Sequence, residues 1–172
     1  SGSSRGLGDV YKRQVYKASV EAYKLGVWML NVHALGGSEM MSAALQARND
    51  VNKESKLIAV SILTSHTNAN LAHFGIERRE DFAKILAHKA DDAGLDGIVC
   101  APSDIESIGI TKASFMYITP GIRLGPNTDD HNRAFTPKQA YDLGADYIVV
   151  GRPISESDEP LLVLDKILSS FN

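Results

Sequence analysis

The residues with the clearest chemical character are two arginines, each of which lies close to a glycine behind an apolar run. Gly121 and Arg123 follow the run FMYIT, and Gly151 and Arg152 follow the run YIVV. A glycine lets backbone N–H groups approach an anion closely, and a guanidinium donates paired, charge-assisted hydrogen bonds to phosphate oxygens. Either arginine, taken alone, could be an ordinary exposed surface residue. The same placement of arginine and glycine behind two successive runs instead predicts a phosphate-binding site.

Other reactive side chains form no recognisable site. The five histidines lack the H-E-x-x-H spacing of zinc enzymes, and no G-x-S-x-G sequence marks a nucleophilic serine. Gly36 and Gly37 fit a turn into a helix that Ser38 caps. Asp129 and Asp130 lack the spacing of a calcium-binding loop, and we interpret them as part of a solvated loop. No metal site is therefore predicted.

The two arginines must be positioned by a repeating pattern of short apolar runs and amphipathic segments. Residues 79–93 and 137–143 have helical spacing, and near-continuous apolar runs between helices are typical of parallel strands buried on both faces. The sequence therefore predicts an α/β fold built from repeated βα units. The five runs are residues 27–33, 56–63, 97–100, 115–119 and 147–150.

The spacing of the runs indicates which α/β architecture to expect. Successive runs lie about 30 residues apart on average, and an eight-unit barrel of about 250 residues has about 31 residues per unit. No G-x-G-x-x-G follows a run, which disfavours a dinucleotide-binding sheet. The loops after strands seven and eight commonly bind phosphate in barrels. The two arginine-bearing loops therefore predict the C-terminal part of a phosphate-binding barrel.

Composition excludes several other classes of protein. The chain has 172 residues, of which 44% are hydrophobic and 23% charged, and its net charge is −3. Charges of both signs are interspersed, so the sequence lacks the basic stripe of a nucleic-acid-binding protein. The apolar runs are far shorter than the roughly 20 residues that span a bilayer. The single cysteine, Cys100, cannot form an internal disulfide, which favours the cytoplasm.

The first 14 residues differ in character from the rest. The segment SGSSRGLGDVYKRQ is rich in glycine, serine and arginine, and it has neither an apolar period nor the apolar core of a signal peptide. The chain also starts at Ser1, and its first methionine is Met29. We interpret residues 1–14 as a non-native or flexible leader and residues 15–172 as the C-terminal part of a single barrel domain.

Five segments carry a resemblance to a known family: NVHALGG (31–37), LIAVSILTS (57–65), LDGIVC (95–100), ITPGIR (118–123) and ADYIVVGRPI (145–154). In sequence, order and spacing they resemble bacterial orotidine 5′-phosphate decarboxylases, and the combination of ITPGIR with GRPI is highly specific. The resemblance covers residues 15–172. It implies a cytoplasmic (β/α)8 homodimer that converts orotidine 5′-monophosphate to UMP and CO2 without a metal or organic cofactor.

The same resemblance implies roles for individual residues. Arg123, the Gly151 backbone and the Arg152 side chain would hold the 5′-phosphate, and Thr64 would contact the pyrimidine or ribose. His131 stands in a lid loop where the family has a glutamine that bridges phosphate and base. An imidazole can donate to phosphate, but it lacks the paired donor and acceptor of an amide. The resemblance therefore implies five substrate-binding residues and a modified lid.

One motif of the family is missing from the sequence. The family delivers a proton to the pyrimidine from a lysine in an Asp-x-Lys-x-x-Asp motif that ends the third strand, and no such motif occurs in the 172 residues. Phosphate binding remote from the reacting carbon helps only when that charge array is present. We therefore expect an N-terminally truncated, inactive decarboxylase with roughly strands 4–8 of the barrel. The alternatives are a phosphate-ligand-binding partial barrel without catalysis and a related sugar-phosphate decarboxylase.

Overall fold

The structure, a computed structural model, describes residues 7–62, 68–124 and 134–171. These residues form one parallel sheet of five strands in the order β1-β2-β3-β4-β5, and helices alternate with the strands. Each predicted apolar run contains one strand, which confirms the α/β class. The strands are β1 (Met29–His33), β2 (Lys56–Val60), β3 (Gly97–Val99), β4 (Met116–Thr119) and β5 (Tyr147–Ile148). The helices are α1 (Leu7–Lys24), α2 (Ser38–Val51), α3 (Asn68–Ala72), α4 (Arg79–Asp92), α5 (Ile105–Ile108), α6 (Pro137–Asp142), α7 (Arg152–Ser155) and α8 (Pro160–Ser169), with 3-10 turns at Ala34–Gly36 and Pro102–Asp104.

Two similar turns begin β3 and β5 and fix each strand against the preceding one. Asp96 comes directly before β3, and its carboxylate accepts a hydrogen bond from the N–H of Leu57 in β2 at 2.7 Å. Asp146 comes directly before β5, and its carboxylate accepts from the N–H of Tyr117 in β4 at 2.7 Å. The same residue type thus sets the alignment of two strand pairs. This repetition agrees with the repeated βα units that the spacing predicts.

The core lies between one face of the sheet and helices α2 and α4. Leu57 and Ala59 of β2 pack in one buried cluster with Met41 of α2 and Leu86 of α4. Ile58, which lies between them in sequence, is also buried, and the alternation of side chains along a strand directs it to the opposite face. Strand β2 is therefore buried on both faces, as expected for a central parallel strand.

The sheet is curled rather than flat. Trp28 directly precedes β1 and Tyr147 begins β5, and these are the outer strands of the described sheet. Across four spacings of about 4.8 Å, a flat sheet would separate them by about 19 Å. Their ring centroids are nevertheless 5.3 Å apart. The amino ends of the two outer strands therefore approach each other across the concave side, as in part of a barrel wall.

Helix α1 packs along α2 and begins earlier than expected. Its Lys12 ammonium lies 2.6 Å from a carboxylate oxygen of Glu39 in α2. Residues 7–14, which the sequence analysis separates from the domain, thus continue the helix that was expected from residue 15. The interpretation of residues 1–14 as a leader stays a prediction.

Helix α8 carries an exposed apolar face. Leu161, Leu164 and Leu168 are spaced along one side of the helix, and 76% of Leu161 is exposed to solvent. Ile167 is the residue of this helix that is buried. Val149, which follows the outer strand β5, is exposed as well. A row of exposed apolar side chains along one side of a helix favours association with another protein surface.

We expect the chain to self-associate through this face. The double variant Leu161→Glu/Leu168→Glu should weaken association by roughly tenfold or more per leucine, because burying one leucine contributes about 1.5–3 kcal/mol. Size-exclusion chromatography with light scattering over a range of protein concentrations measures the effect. Phe74→Glu, at an exposed phenylalanine between α3 and α4, is the control and should associate as the unaltered chain does. A monomer at all concentrations would contradict the prediction.

Candidate functional site

Strands β4 and β5 are neighbours, so the loops that follow them share one edge of the sheet. Ile118 and Thr119 of β4 pair in parallel with Tyr147 and Ile148 of β5, and the N–H of Val149 donates to the carbonyl of Thr119 at 2.9 Å. The carboxyl ends of both strands therefore point the same way. The structure places the two arginine-bearing loops side by side at the edge where α/β barrels bind ligands.

The loop after β4 is held by its own backbone. Gly121 adopts a φ of +81°, a conformation that glycine enters without a steric penalty. The N–H of Arg123 then donates to the carbonyl of Phe135 at 2.9 Å, and Ile122 is fully buried. The Arg123 guanidinium, which is half-buried, donates to the carbonyl of Ile122 at 2.9 Å. Arg123 is thus positioned at its backbone and at its side chain.

The loop after β5 is more open. Gly151 directly precedes α7, and its carbonyl accepts from the N–H of Ile154 at 2.9 Å. A Cβ atom added at Gly151 would meet no other atom within 4 Å, so the backbone faces free space. The Arg152 side chain is exposed. A guanidinium with this exposure, one strand away from Arg123, can bind an anion from solution.

Two of the five predicted substrate-binding residues cannot be placed. Thr64 and His131 lie outside the described residues, so their roles stay predictions. Arg123, Gly151 and Arg152 are described, and they lie on the loops after β4 and β5. The structure therefore places the three residues predicted to hold a phosphate on neighbouring loops.

The structure contains a buried ion pair that no motif in the sequence predicts. Arg79, the first residue of α4, is 1% exposed and forms an ion pair with Asp104, which is 0% exposed. The preceding Arg78 is an ordinary surface residue, with 66% of its side chain exposed. Both arginines belong to the charged run ERRED, and no local pattern distinguishes the buried one from the exposed one.

Cys100 lies beside this ion pair and is buried. Burial raises the pKa of its thiol, the Asp104 carboxylate raises that pKa further, and the Arg79 guanidinium partly opposes both effects. The thiol therefore stays protonated and unreactive in the folded protein at neutral pH.

We expect the free energy of unfolding to fall as the pH rises above the ordinary thiol pKa of 9.0. The unfolded thiol then ionises while the folded thiol stays protonated, so stability is lost by up to about 1.4 kcal/mol per pH unit. Urea unfolding between neutral pH and about pH 10 measures this slope, and Cys100→Ala should remove it. Tyr23, whose pKa burial raises to about 12, supplies the control, because Tyr23→Phe should affect only the more alkaline range. An unchanged slope in Cys100→Ala would contradict the assignment.

Other classes of site were not found in the described part of the chain. Within residues 7–62, 68–124 and 134–171, no three His, Cys, Asp or Glu side chains cluster so that they could hold a metal ion. No helix in these ranges is long and apolar enough to cross a bilayer.

A curled parallel sheet with arginine and glycine at adjacent strand ends defines a class of protein, the barrel-type α/β proteins that bind ligands at the carboxyl edge of the sheet. Comparison with known families narrows this class. The sequence model of the orotidine 5′-phosphate decarboxylase / HUMPS family matches residues 7–167. The chain belongs to this family, which confirms the resemblance found in the sequence.

Individual relatives agree with this assignment. The orotidine 5′-phosphate decarboxylase of Pseudoalteromonas translucida is 46% identical over 161 residues, covering 91% of this chain and 69% of the relative. That of Wigglesworthia glossinidia brevipalpis is 43% identical over 157 residues, covering 87% and 66%. The solved orotidine 5′-phosphate decarboxylase of Lactobacillus acidophilus has a TM-score of 0.75 at 32% identity, covering 94% and 70%. An uncharacterized conserved protein from Geobacillus kaustophilus has a TM-score of 0.76 at 29% identity, covering 94% and 71%.

The matches also show what share of each relative's length the chain covers. The chain spans between 66% and 71% of the length of the four proteins. The five parallel strands formed by the described residues, together with the structural match to a solved member of the family, confirm the predicted α/β architecture as part of a barrel.

Proposed function

We propose that the chain supplies the phosphate-binding loops of an orotidine 5′-phosphate decarboxylase, which converts orotidine 5′-monophosphate to UMP and CO2. The observation that carries this proposal is the juxtaposition of the Arg123 loop with Gly151 and Arg152 in a member of that family. Arg123 and Arg152 would donate charge-assisted hydrogen bonds to the 5′-phosphate, and the open backbone at Gly151 would let the anion approach.

The remaining parts of the site follow from the family resemblance. Thr64 would contact the pyrimidine or ribose, and His131 would donate to the phosphate from the lid. We also infer a homodimer in the cytoplasm and a reaction that needs no metal or organic cofactor. Nucleic acid and membranes are not expected partners.

A binding role without catalysis is favoured for the 172-residue chain on its own. The Asp-x-Lys-x-x-Asp motif that delivers the proton in the family does not occur in its sequence. The phosphate loops can bind a nucleotide without that motif, because the phosphate is remote from the reacting carbon. The chain alone should therefore bind UMP without turning over orotidine 5′-monophosphate.

Titration calorimetry with UMP tests whether Arg123, Gly151 and Arg152 bind the phosphate. Arg152→Ala should lower UMP affinity by roughly 10- to 100-fold, since a hydrogen bond to a charged group contributes about 1.5–3 kcal/mol. Lys53→Ala is the matched control, because Lys53 is an exposed cation in the turn before β2, at the opposite edge of the sheet. Equal UMP affinity of the unaltered chain and Arg152→Ala would refute phosphate binding by Arg152. Equal affinity of the unaltered chain for UMP and for ribose 5-phosphate would favour a sugar-phosphate ligand.

A further inference from the structure

The buried ion pair between Arg79 and Asp104 has an uneven set of hydrogen bonds. Nη1 of Arg79 donates to both carboxylate oxygens of Asp104, at 2.7 and 2.8 Å. Nε and Nη2 of the same guanidinium are buried without any hydrogen-bond partner. A buried charge whose donors are only partly satisfied is a poor source of stability, because removing the charge from water is costly. This pair therefore calls for a role other than stabilisation.

The position of the pair indicates what it organises. The backbone N–H of Arg79 donates to the side-chain oxygen of Asn68, the first residue of α3, at 3.1 Å. Oδ2 of Asp104 accepts from the N–H of Ala101, just after β3, at 3.3 Å. One network thus joins the starts of α3 and α4, which follow β2, to the loop that follows β3.

The starts of α3 and α4 and the loop after β3 follow the carboxyl ends of their strands, at the same edge of the sheet as the loops of Arg123 and Arg152. The sheet order places β3 next to β4, and β2 next to β3. Neighbouring strands are about 4.8 Å apart, so the ends of β3 and β2 lie about 5 to 10 Å from the end of β4. That span matches the reach of a ribose and a pyrimidine from their phosphate. A ligand that runs along the described sheet from Arg123 would therefore place its nucleoside end over β3 and β2.

We infer that Arg79 and Asp104 are positioning residues that hold the starts of α3 and α4 and the loop after β3 in place for the nucleoside part of the ligand. This inference rests on the proposed function, because it takes the phosphate to lie at Arg123 and Arg152. The pair is too deeply buried to touch the ligand, so it acts through the loops that it ties together. Its removal should weaken the recognition of the base and leave the recognition of the phosphate intact.

The double variant Arg79→Met/Asp104→Asn tests this inference. It removes both charges together, which avoids leaving one buried charge unpaired, and the asparagine keeps an acceptor for Ala101. Calorimetry with UMP and with ribose 5-phosphate, two ligands that share the phosphate, separates the two ends of the site. We expect the double variant to lose roughly tenfold in UMP affinity, the equivalent of one hydrogen bond. Its affinity for ribose 5-phosphate should match that of the unaltered chain.

A second ion pair offers a matched control. Arg48 of α2 pairs with Asp96 before β3, and their side chains are 15% and 19% exposed. Asp96 also accepts from the N–H of Leu57, so this pair joins α2 to two strands at the amino edge of the sheet. Arg48→Met/Asp96→Asn should leave the ratio of the two affinities unchanged, because this edge does not face the ligand. Urea unfolding of both double variants confirms that the proteins compared are folded.

The outcomes separate this inference from the proposed function. A selective loss of UMP affinity in Arg79→Met/Asp104→Asn supports it. An equal loss of both affinities, or no loss of either, overturns it while leaving the phosphate grip standing. Failure of the unaltered chain to bind either ligand overturns the proposed function and the inference together.

Discussion

The 172-residue chain is expected to leave orotidine 5′-monophosphate unconverted. In the mechanism that the family resemblance implies, a lysine held among aspartates protonates the carbon from which CO2 departs, and the Asp-x-Lys-x-x-Asp motif that would carry this lysine does not occur in the 172 residues. A transition state that develops charge needs preorganised groups at the reacting carbon, and residues that bind the remote phosphate cannot replace them. Because enzymes accelerate reactions by about a million-fold or more, the loss of this array should return the rate to background.

The loss of ultraviolet absorbance of orotidine 5′-monophosphate measures this turnover. The full-length decarboxylase of Pseudoalteromonas translucida, which is 46% identical over the shared region, is the positive control. Arg152→Ala in this chain serves as the negative control, because any trace activity that depends on this site should fall further. Robust turnover by the unaltered chain would show that another group can supply the proton.

The second large effect concerns the stability of the fold. Arg79→Ala or Asp104→Ala should lower the free energy of unfolding by about 3–5 kcal/mol, because each leaves a buried charge without its partner. The pair is almost completely buried, at 1% and 0% exposure, so solvent cannot replace the missing interaction. For a protein of ordinary stability, about 5–15 kcal/mol, a loss of this size should populate the unfolded state.

Urea unfolding followed by circular dichroism measures this loss. Lys112→Ala is the control, because Lys112 pairs with Asp91 while 62% of its side chain is exposed. An exposed ion pair contributes at most about 1 kcal/mol. The double variant Arg79→Met/Asp104→Asn removes both buried charges, so it should recover most of the stability that is lost in the single variants. A small effect of Asp104→Ala would mean that water reaches the guanidinium.

Most of the fold could be predicted from local patterns in the chain. The five apolar runs each contain a strand, because a parallel strand buried on both faces requires continuous apolar character. The helix at residues 79–92 follows from its amphipathic spacing. The start of α1 at Leu7 was missed, because residues 7–14 show no apolar period and their helical state depends on packing against α2.

The candidate site was predictable only in part. Arg123 and Arg152 stand out because glycines accompany them behind successive runs, and the sheet order confirms that their loops are neighbours. Arg79 and Asp104 are separated by 25 residues, and neither belongs to a motif. Their pairing arises when α4 packs against the loop after β3, which no local pattern encodes.

Local patterns in the chain were enough to predict the βα repeat and the family, and to single out Arg123 and Arg152 as candidate phosphate ligands. All of these depend on local periodicity or on short motifs, in which the residues that act together are close in the chain. Two features are visible only in the folded chain: the sheet curls until Trp28 contacts Tyr147, and Arg79 is buried while Arg78 is exposed. Burial and curvature are set by what distant segments pack against, so they appear only once the chain has folded.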